Sequence, residues 1–186
     1  MRSTKALAGA LLVVSLLTAG VALPAQVTAA ASLKQILAQD NGQFDYIKRA
    51  QNYFHQHQYD LAIADCNSVL ERNNKDTRAY AIRGSCYYVQ KKYEAAVADF
   101  DQVLAQQPNQ AAQASTYTLR AFAYKDQQKY EQAAADFSSA IAINPQLAQL
   151  YIERGSVYRL QGKYDLAAAD FTQALALDPK LDMAYE

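Results

Sequence analysis

Tyrosines recur at a nearly constant interval along this chain, and the recurrence restricts the available folds more than any other feature. Of the fourteen tyrosines, thirteen occupy equivalent places in a repeating unit, and only Tyr88 does not. Repetition has to be recognised first, because overlooking it misassigns the fold of the whole chain. The first tyrosines of the four complete units are Tyr46, Tyr80, Tyr117 and Tyr151.

Each unit carries the pattern of two short helices. In the last complete unit the recurring positions are, in order, Tyr151, Gly155, Tyr158, Tyr164, Ala167 and Phe171. Spacings of three, four and seven residues place side chains on one helical face. Each unit is therefore predicted to contain two helices of about fourteen residues, each about 21 Å long. Proline-containing pairs close most of the second helices, and short turns between helices predict antiparallel neighbours.

This pattern resembles the tetratricopeptide repeat, a family built from helical hairpins. The resemblance implies an all-α fold, a right-handed solenoid of stacked antiparallel helix-turn-helix repeats. Four units are expected within residues 43–181, with ranges 43–76, 77–110, 114–147 and 148–181. Residues 182–186 would begin a fifth, truncated unit.

The chain departs from the family pattern in two places. The first unit has Cys66 where the family has an aromatic residue and Asn74 where it has proline. The interval from Tyr93 to Tyr130 is 37 residues instead of 34, which places three extra residues around 111–113. These residues are expected to lengthen a connection or to alter the superhelical step locally.

Small residues on the first helices predict close helix packing. Two helices approach to the short end of the usual range, about 8 to 10 Å, only where no bulky side chain intervenes. Gly84 and Gly155 are therefore expected to face Ala96 and Ala167 on the second helices.

An arginine precedes each of the small residues, and an aspartate follows that arginine by sixteen residues. The pairs are Arg49 and Asp65, Arg83 and Asp99, Arg120 and Asp136, and Arg154 and Asp170. Because a hairpin brings such positions together, we expect a ladder of Arg–Asp ion pairs, within a unit or between neighbours. Four aspartates a full repeat apart are too dispersed to converge on one catalytic site.

The first thirty residues have the layout of a secretory signal peptide. Arg2 and Lys5 precede an apolar run over 6–23, and small residues follow it. We expect residues 1–29 to be removed by cleavage near Ala29, with cleavage after Ala25 or Ala31 as alternatives. The protein would then be exported to the periplasm or the extracellular space, and the mature chain would have no membrane span. An uncleaved membrane anchor is the other interpretation. Residues 30–42 would form a linker or a short capping helix.

The charge of the mature chain argues against nucleic acid as a partner. Loss of Arg2 and Lys5 leaves 16 basic and 18 acidic residues, so no basic field is available. No phosphate-binding loop, zinc-type cysteine pairing or nucleophile motif is present. His55 and His57 are the only histidines and favour a solvated turn. The sequence therefore predicts no enzyme activity, cofactor or metal site.

Cys66 and Cys86 belong to adjacent helices of the predicted array. In an oxidising compartment a disulfide between them is one interpretation. Two separate buried thiols are the other.

Eleven side chains of the first helices lie outside the packing positions and are candidates for a concave binding groove: Ile47, Gln51, Phe54, Ser85, Tyr88, Thr118, Phe122, Lys125, Ile152, Ser156 and Arg159. The apolar members would suit an amphipathic helix or an extended peptide. For each candidate, packing against the neighbouring first helix is the alternative. Family members that bind C-terminal carboxylates use clustered Lys, Arg and Asn, and the equivalent positions here do not carry that cluster.

The resemblance implies a non-enzymatic scaffold that binds another protein or peptide along the concave side of its repeats. Two other interpretations remain open: the repeats could be the recognition module of a longer exported enzyme, or a self-assembling envelope protein. A homo-oligomer formed through the uncapped C-terminal end of the array belongs to the last interpretation.

Overall fold

The computed structural model describes residues 45–180, which form eight α-helices. In chain order these are α1 (Tyr46–His55), α2 (Tyr59–Arg72), α3 (Thr77–Val89), α4 (Tyr93–Ala105), α5 (Gln110–Asp126), α6 (Tyr130–Ile143), α7 (Ala148–Leu160) and α8 (Tyr164–Leu177). The predicted signal peptide, the predicted linker at 30–42 and the predicted fifth unit at 182–186 lie outside the described residues.

The helices pack in the order in which they follow one another along the chain. Three residues join the two helices of each repeat, and four residues join one repeat to the next. Connections this short make consecutive helices antiparallel. The predicted solenoid of helix-turn-helix repeats is confirmed, and residues 45–180 contain no β-strand. None of the helices in this range is both long and apolar enough to cross a membrane.

The turn inside each repeat has the same backbone geometry in all four copies. Its middle residue adopts the left-handed conformation, with φ of 59° at His57, 60° at Lys91, 61° at Gln128 and 73° at Gly162. In the second repeat the amide of Lys92 donates to the carbonyl of Tyr87 at 2.8 Å. This is a Schellman cap, which satisfies carbonyls at the end of the helix. Only the fourth repeat has glycine, the residue that adopts this conformation without strain.

The three extra residues around 111–113 lie inside a helix. α5 has 17 residues, whereas α3 and α7 have 13 each. The side chain of Asn109 caps the start of α5 by accepting a hydrogen bond from the amide of Ala112. The connection before α5 keeps its four residues, so of the two expected outcomes the longer connection is not found. Alanine and glutamine are good helix formers, which explains why the insertion extends the helix.

Aromatic rings of the second helices fill the space beside the small residues of the first helices. A Cβ atom built on Gly84 would lie 2.8 Å from Cε1 of Phe100 and 3.2 Å from Cβ of Asp99. The closest neighbours of Gly84 are therefore Phe100 and Asp99, one turn beyond the Ala96 expected from the sequence. The same contacts recur around Gly155. In the third repeat Ala121 occupies the place of glycine and packs in the same cluster as Phe137, so the position requires a small residue.

Both cysteines are free thiols in the core of the first two repeats. Cys66 and Cys86 have no exposed surface and belong to one hydrophobic cluster. Burial raises the pKa of the Cys66 thiol to about 12 and that of Cys86 to about 11. Cys66 occupies the place that Phe100 and Phe137 hold in later repeats, and it shares its cluster with Ala50, the small residue of its own repeat.

Candidate protein-binding surface

The first helices of the repeats lie on the inner side of the array. α1 packs against α3, and α3 packs against α5, in addition to their contacts with the second helices. Within residues 45–180 no comparable contact joins the second helices α2, α4, α6 and α8 to one another. The array therefore curves with its first helices on the concave side, which is the surface that repeats of this kind use for binding.

Ten of the eleven candidate groove residues are at least partly accessible on the first helices, and Ile47 is the exception. The side chain of Ile47 is only 8% exposed and packs in the cluster that reaches Ile82 of α3. Its assignment to the groove is therefore corrected, because it packs against the neighbouring first helix. Gln51 and Arg159 are exposed. The other eight are half-buried: Phe54, Ser85, Tyr88, Thr118, Phe122, Lys125, Ile152 and Ser156.

Polar side chains bridge two of the furrows between neighbouring first helices. The hydroxyl of Tyr88 donates a hydrogen bond of 2.9 Å to the carboxylate of Asp126, which joins α3 to α5. Burial and this hydrogen bond both raise the pKa of Tyr88. The ammonium of Lys125 lies 2.9 Å from the carboxylate of Glu153, which joins α5 to α7. Two of the predicted groove residues, Tyr88 and Lys125, thus also connect repeats.

The furrow between α1 and α3, unlike the two bridged furrows, contains an open cavity of about 190 Å³. Its six lining residues are Gln51, Phe54, His55, Ala81, Ile82 and Ser85. Three of them, His55, Ala81 and Ile82, were not among the predicted groove residues. The signal for them was available, because Ala81 and Ile82 lie one turn before Ser85 on the same helix and His55 follows Phe54. The cavity joins predicted residues of two different repeats.

The predicted Arg–Asp pairs are confirmed in all four repeats, and each lies within its own repeat. Nε and Nη2 of the arginine donate to the two oxygens of the aspartate at 2.6 to 2.8 Å. The four aspartates are 2% to 5% exposed. Their hydrogen bonds with the arginines raise the arginine pKa in every pair, against the opposing effect of burial.

In the last three repeats the remaining Nη1 of the arginine contacts the preceding repeat. Arg83 donates to Asn67 at 2.6 Å, Arg120 donates to Asp101, and Arg154 donates to the hydroxyl of Ser138 at 3.0 Å. Each acceptor stands two residues after the paired aspartate of its own repeat. The arginine therefore links three helices across the boundary between two repeats.

Each of these arginines also lies between two tyrosine rings of its own first helix. The guanidinium carbon of Arg154, for example, is 5.7 Å from the ring centres of both Tyr151 and Tyr158. The same arrangement surrounds Arg49, Arg83 and Arg120. Cation–π contacts of this kind add to the ion pair. Most of these tyrosines also pack, partly buried, against the core clusters.

No group of three or more His, Cys, Asp or Glu side chains between residues 45 and 180 is arranged to hold a metal ion. All four buried aspartates are neutralised by arginine, and both thiols are fully buried. The candidate groove residues are mostly apolar or hydroxyl-bearing, with Gln51 as the amide and Lys125 and Arg159 as the charged members.

Three family models match the chain. Two are described as tetratricopeptide repeat, at residues 148–181 and 47–111, and one as TPR repeat, at residues 121–159. Together they account for well over half of the chain and for most of the described helices. No curated protein sequence matches the chain.

Solved structures with similar folds include proteins named MamA. One MamA crystal structure is 22% identical, with a TM-score of 0.71 over 82% of this chain and 88% of that chain. The MamA 41-end structure from Desulfovibrio magneticus RS-1 is 20% identical, with a TM-score of 0.68 over 74% of this chain and 76% of that chain. The APC/C hetero-tetramer Cut9-Hcn1 contains a chain 18% identical, with a TM-score of 0.65 over 72% of this chain and 26% of that chain. At these identities the likeness establishes the fold alone.

Proposed function

Since the chain belongs to the tetratricopeptide repeat family, we propose that it is a scaffold that binds another polypeptide along its concave side. The single observation that carries this proposal is the open furrow between α1 and α3, lined by Phe54, Ile82 and Ser85 among others. The furrow presents apolar surface beside hydroxyl and amide groups. Pockets of that composition hold an apolar side chain while the polar groups orient the backbone that carries it.

The bridged furrows support the same assignment. Tyr88 with Asp126 and Lys125 with Glu153 occupy the space between the later first helices. A ligand entering there has to displace a hydrogen bond or an ion pair, whereas the six described residues that line the first furrow form no such bridge between α1 and α3. We therefore place the anchor of the bound polypeptide in the first furrow and its continuation along Thr118, Phe122, Ile152, Ser156 and Arg159.

The site of action that we propose is outside the cytoplasm. The support is the basic start, apolar run and small residues over 1–29. The test is the N-terminal mass of the protein recovered from its native cells. A mature chain that begins near residue 30 in an envelope or extracellular fraction is expected. An intact Met1 in the cytoplasmic fraction would contradict export and leave the binding proposal unaffected.

Peptide selection tests the binding proposal. A displayed library of random peptides is selected on the full chain, and the affinity of the selected peptides is then measured for the chain and for two variants. Ser85→Arg puts a long charged side chain into the first furrow. Ser139→Arg is the matched control, because it makes the same change on α6, which is a second helix. Ser139 and Ser85 each donate a hydrogen bond to the carbonyl four residues earlier in their own helix.

We expect selected peptides to share an apolar residue and to lose at least tenfold in affinity with Ser85→Arg, but to bind Ser139→Arg normally. Selected peptides that bind both variants equally well would rule out the first furrow as the anchor. Failure to select any peptide would count against the scaffold proposal.

A further inference from the structure

An exposed carboxylate lies at the second furrow, between α3 and α5. Asp126 accepts a hydrogen bond of 2.9 Å on Oδ2 from the hydroxyl of Tyr88. No lysine, arginine or histidine between residues 45 and 180 forms an ion pair with this carboxylate. The ammonium of Lys125 lies 2.9 Å from Glu153, and that of Lys129 donates to a glutamine side chain in its own turn. Because a carboxylate has two oxygens, Oδ1 of Asp126 can accept from a ligand while the hydrogen bond from Tyr88 stays in place.

The hydroxyl that holds this carboxylate belongs to one of a pair of tyrosine rings. The ring centres of Tyr88 and Tyr93 are 5.8 Å apart, the rings are tilted by 52°, and both side chains are half-buried. Cations bind to the face of such a ring within about 6 Å of its centre. An aromatic ring beside a carboxylate suits arginine better than lysine, because the planar guanidinium stacks on the ring and pairs with the carboxylate at once.

The chain itself holds arginine with the same two kinds of group. In every repeat an aspartate and two tyrosine rings hold the arginine of the first helix, as Asp170, Tyr151 and Tyr158 hold Arg154. At the second furrow an aspartate and two tyrosines are again present. Within residues 45–180, however, no lysine or arginine lies over either of these two rings. The cation that this set of groups would bind is left for a ligand to supply.

The second furrow is one helix away from the cavity in which we place the anchor of the ligand. α3 borders both furrows, since Ser85 lines the first and Tyr88, three residues later, reaches over the second. Packed helices lie about 8 to 10 Å apart. An extended chain advances about 3.3 to 3.6 Å per residue, so roughly two or three residues cover that distance.

We propose that the bound polypeptide carries an arginine roughly two or three residues from its apolar anchor, and that its guanidinium binds Oδ1 of Asp126 beside the ring of Tyr88. The proposal rests on the peptide-binding function and adds the chemistry of the partner to it. An acidic side chain at the same place would be repelled by Asp126, so charge selects between partners. The hydrogen bond from Tyr88 orients the carboxylate before the ligand binds, which reduces the cost of ordering it.

Peptides selected from the random displayed library on the full chain test the proposal. Their sequences are determined, and their affinities are measured for the unchanged chain and for two variants. Asp126→Asn removes the charge and keeps an oxygen that accepts from Tyr88. Asp165→Asn is the matched control, because it removes one negative charge at an exposed position of α8, which is a second helix. Circular dichroism verifies that both variants keep the helical fold.

We expect the selected peptides to share an arginine at that spacing from their apolar residue. They should lose at least tenfold in affinity with Asp126→Asn and bind Asp165→Asn normally. Replacing the arginine of a selected peptide by citrulline, which has a similar shape and no charge, should cost about the same factor. Asp126→Asn should then have no further effect on that peptide, because the two changes remove one shared interaction.

The outcomes separate this inference from the peptide-binding function on which it rests. Peptides that weaken with Ser85→Arg but lack arginine at that spacing overturn the inference and leave the function standing. The same holds for peptides that bind Asp126→Asn as tightly as the unchanged chain. Equal losses with Asp126→Asn and Asp165→Asn also overturn it, since the overall charge of the protein would then explain the preference. A library that yields no peptide overturns both proposals.

Discussion

The guanidinium of Arg120 donates two parallel hydrogen bonds of 2.7 Å to the carboxylate of Asp136. Asp136 is 5% exposed, so removing the arginine leaves a charge that water reaches only poorly. A buried carboxylate that loses its partner typically costs about 3 to 5 kcal/mol. Arg120→Ala is therefore expected to lower the free energy of unfolding, measured by urea denaturation, by about that amount.

The double variant Arg120→Met with Asp136→Leu is the control for this prediction. It removes both charges and replaces them with apolar side chains, which is often neutral. We expect it to be more stable than Arg120→Ala. If Arg120→Ala unfolds at the same urea concentration as the unchanged chain, the ion pair does not contribute as described.

Adding and removing a side chain at the left-handed turn positions is expected to change stability in opposite directions. A Cβ added to Gly162 meets no atom within 4 Å, so Gly162→Ala acts through backbone strain alone. Since a non-glycine residue there costs roughly 1 to 2 kcal/mol, the variant should be less stable by about 1 kcal/mol. Lys91→Gly relieves the same strain at φ 60° and is expected to raise the melting temperature.

Lys92→Gly is the control for the turn prediction, because Lys92 has an ordinary φ of −87°. Glycine at that position adds freedom to the unfolded chain and removes the contact of the Lys92 ammonium with the ring of Tyr87, so it should destabilise. Equal melting temperatures for Lys91→Gly and Lys92→Gly would contradict the argument.

The cap of α3 predicts a dependence of stability on pH. The carboxylate of Asp76 accepts hydrogen bonds from the side chain of Arg78 and from two backbone amides, and the bond to Arg78 is the main cause of its lowered pKa. The charged form is thus favoured in the folded chain. Its contribution is present above the unfolded pKa of about 3.9 and is lost as the pH falls through the lower folded pKa.

Asp76→Asn isolates that charge, because asparagine is still a good cap. The variant is expected to be less stable than the unchanged chain at pH 7. The difference should shrink below about pH 4, where the aspartate takes up a proton. A difference that stays constant down to pH 2 would show that the ionised carboxylate contributes nothing.

The burial of both thiols predicts how they react with an alkylating reagent. Burial raises the pKa of Cys66 to about 12 and that of Cys86 to about 11, and neither has exposed surface. At neutral pH both are protonated and inaccessible, so neither should react with iodoacetamide in the folded chain. In denaturant without reductant, mass spectrometry should find two alkyl groups. Alkylation that requires prior reduction would establish the disulfide.

Most of the fold was predictable because helical spacing alone determines which side chains share a face. The interval between Arg49 and Asp65 was enough to predict that they pair, since only a hairpin joins them. The contact of Arg83 with Asn67 was not predictable. That contact depends on how one repeat is positioned against the next. The spacing of residues within a single repeat does not determine this position.

The binding surface was predictable in outline but not residue by residue. Ile47 has the same place in its helix as Thr118 and Ile152, yet it is buried, and the pattern of one helix cannot show how closely its neighbour packs. The bridges from Tyr88 to Asp126 and from Lys125 to Glu153 were missed for the same reason. They depend on side-chain directions across two repeats.

The third contact of the arginine in each of the last three repeats couples the folding of neighbouring repeats. Arrays of this type behave as a row of units whose cooperativity comes from nearest-neighbour interfaces. When the last of the described repeats unfolds, the hydrogen bond that its arginine donates to the preceding repeat breaks, as between Arg154 and Ser138. Unfolding from an end therefore breaks one such hydrogen bond at each boundary between described repeats. The described repeats should thus unfold together in a single transition.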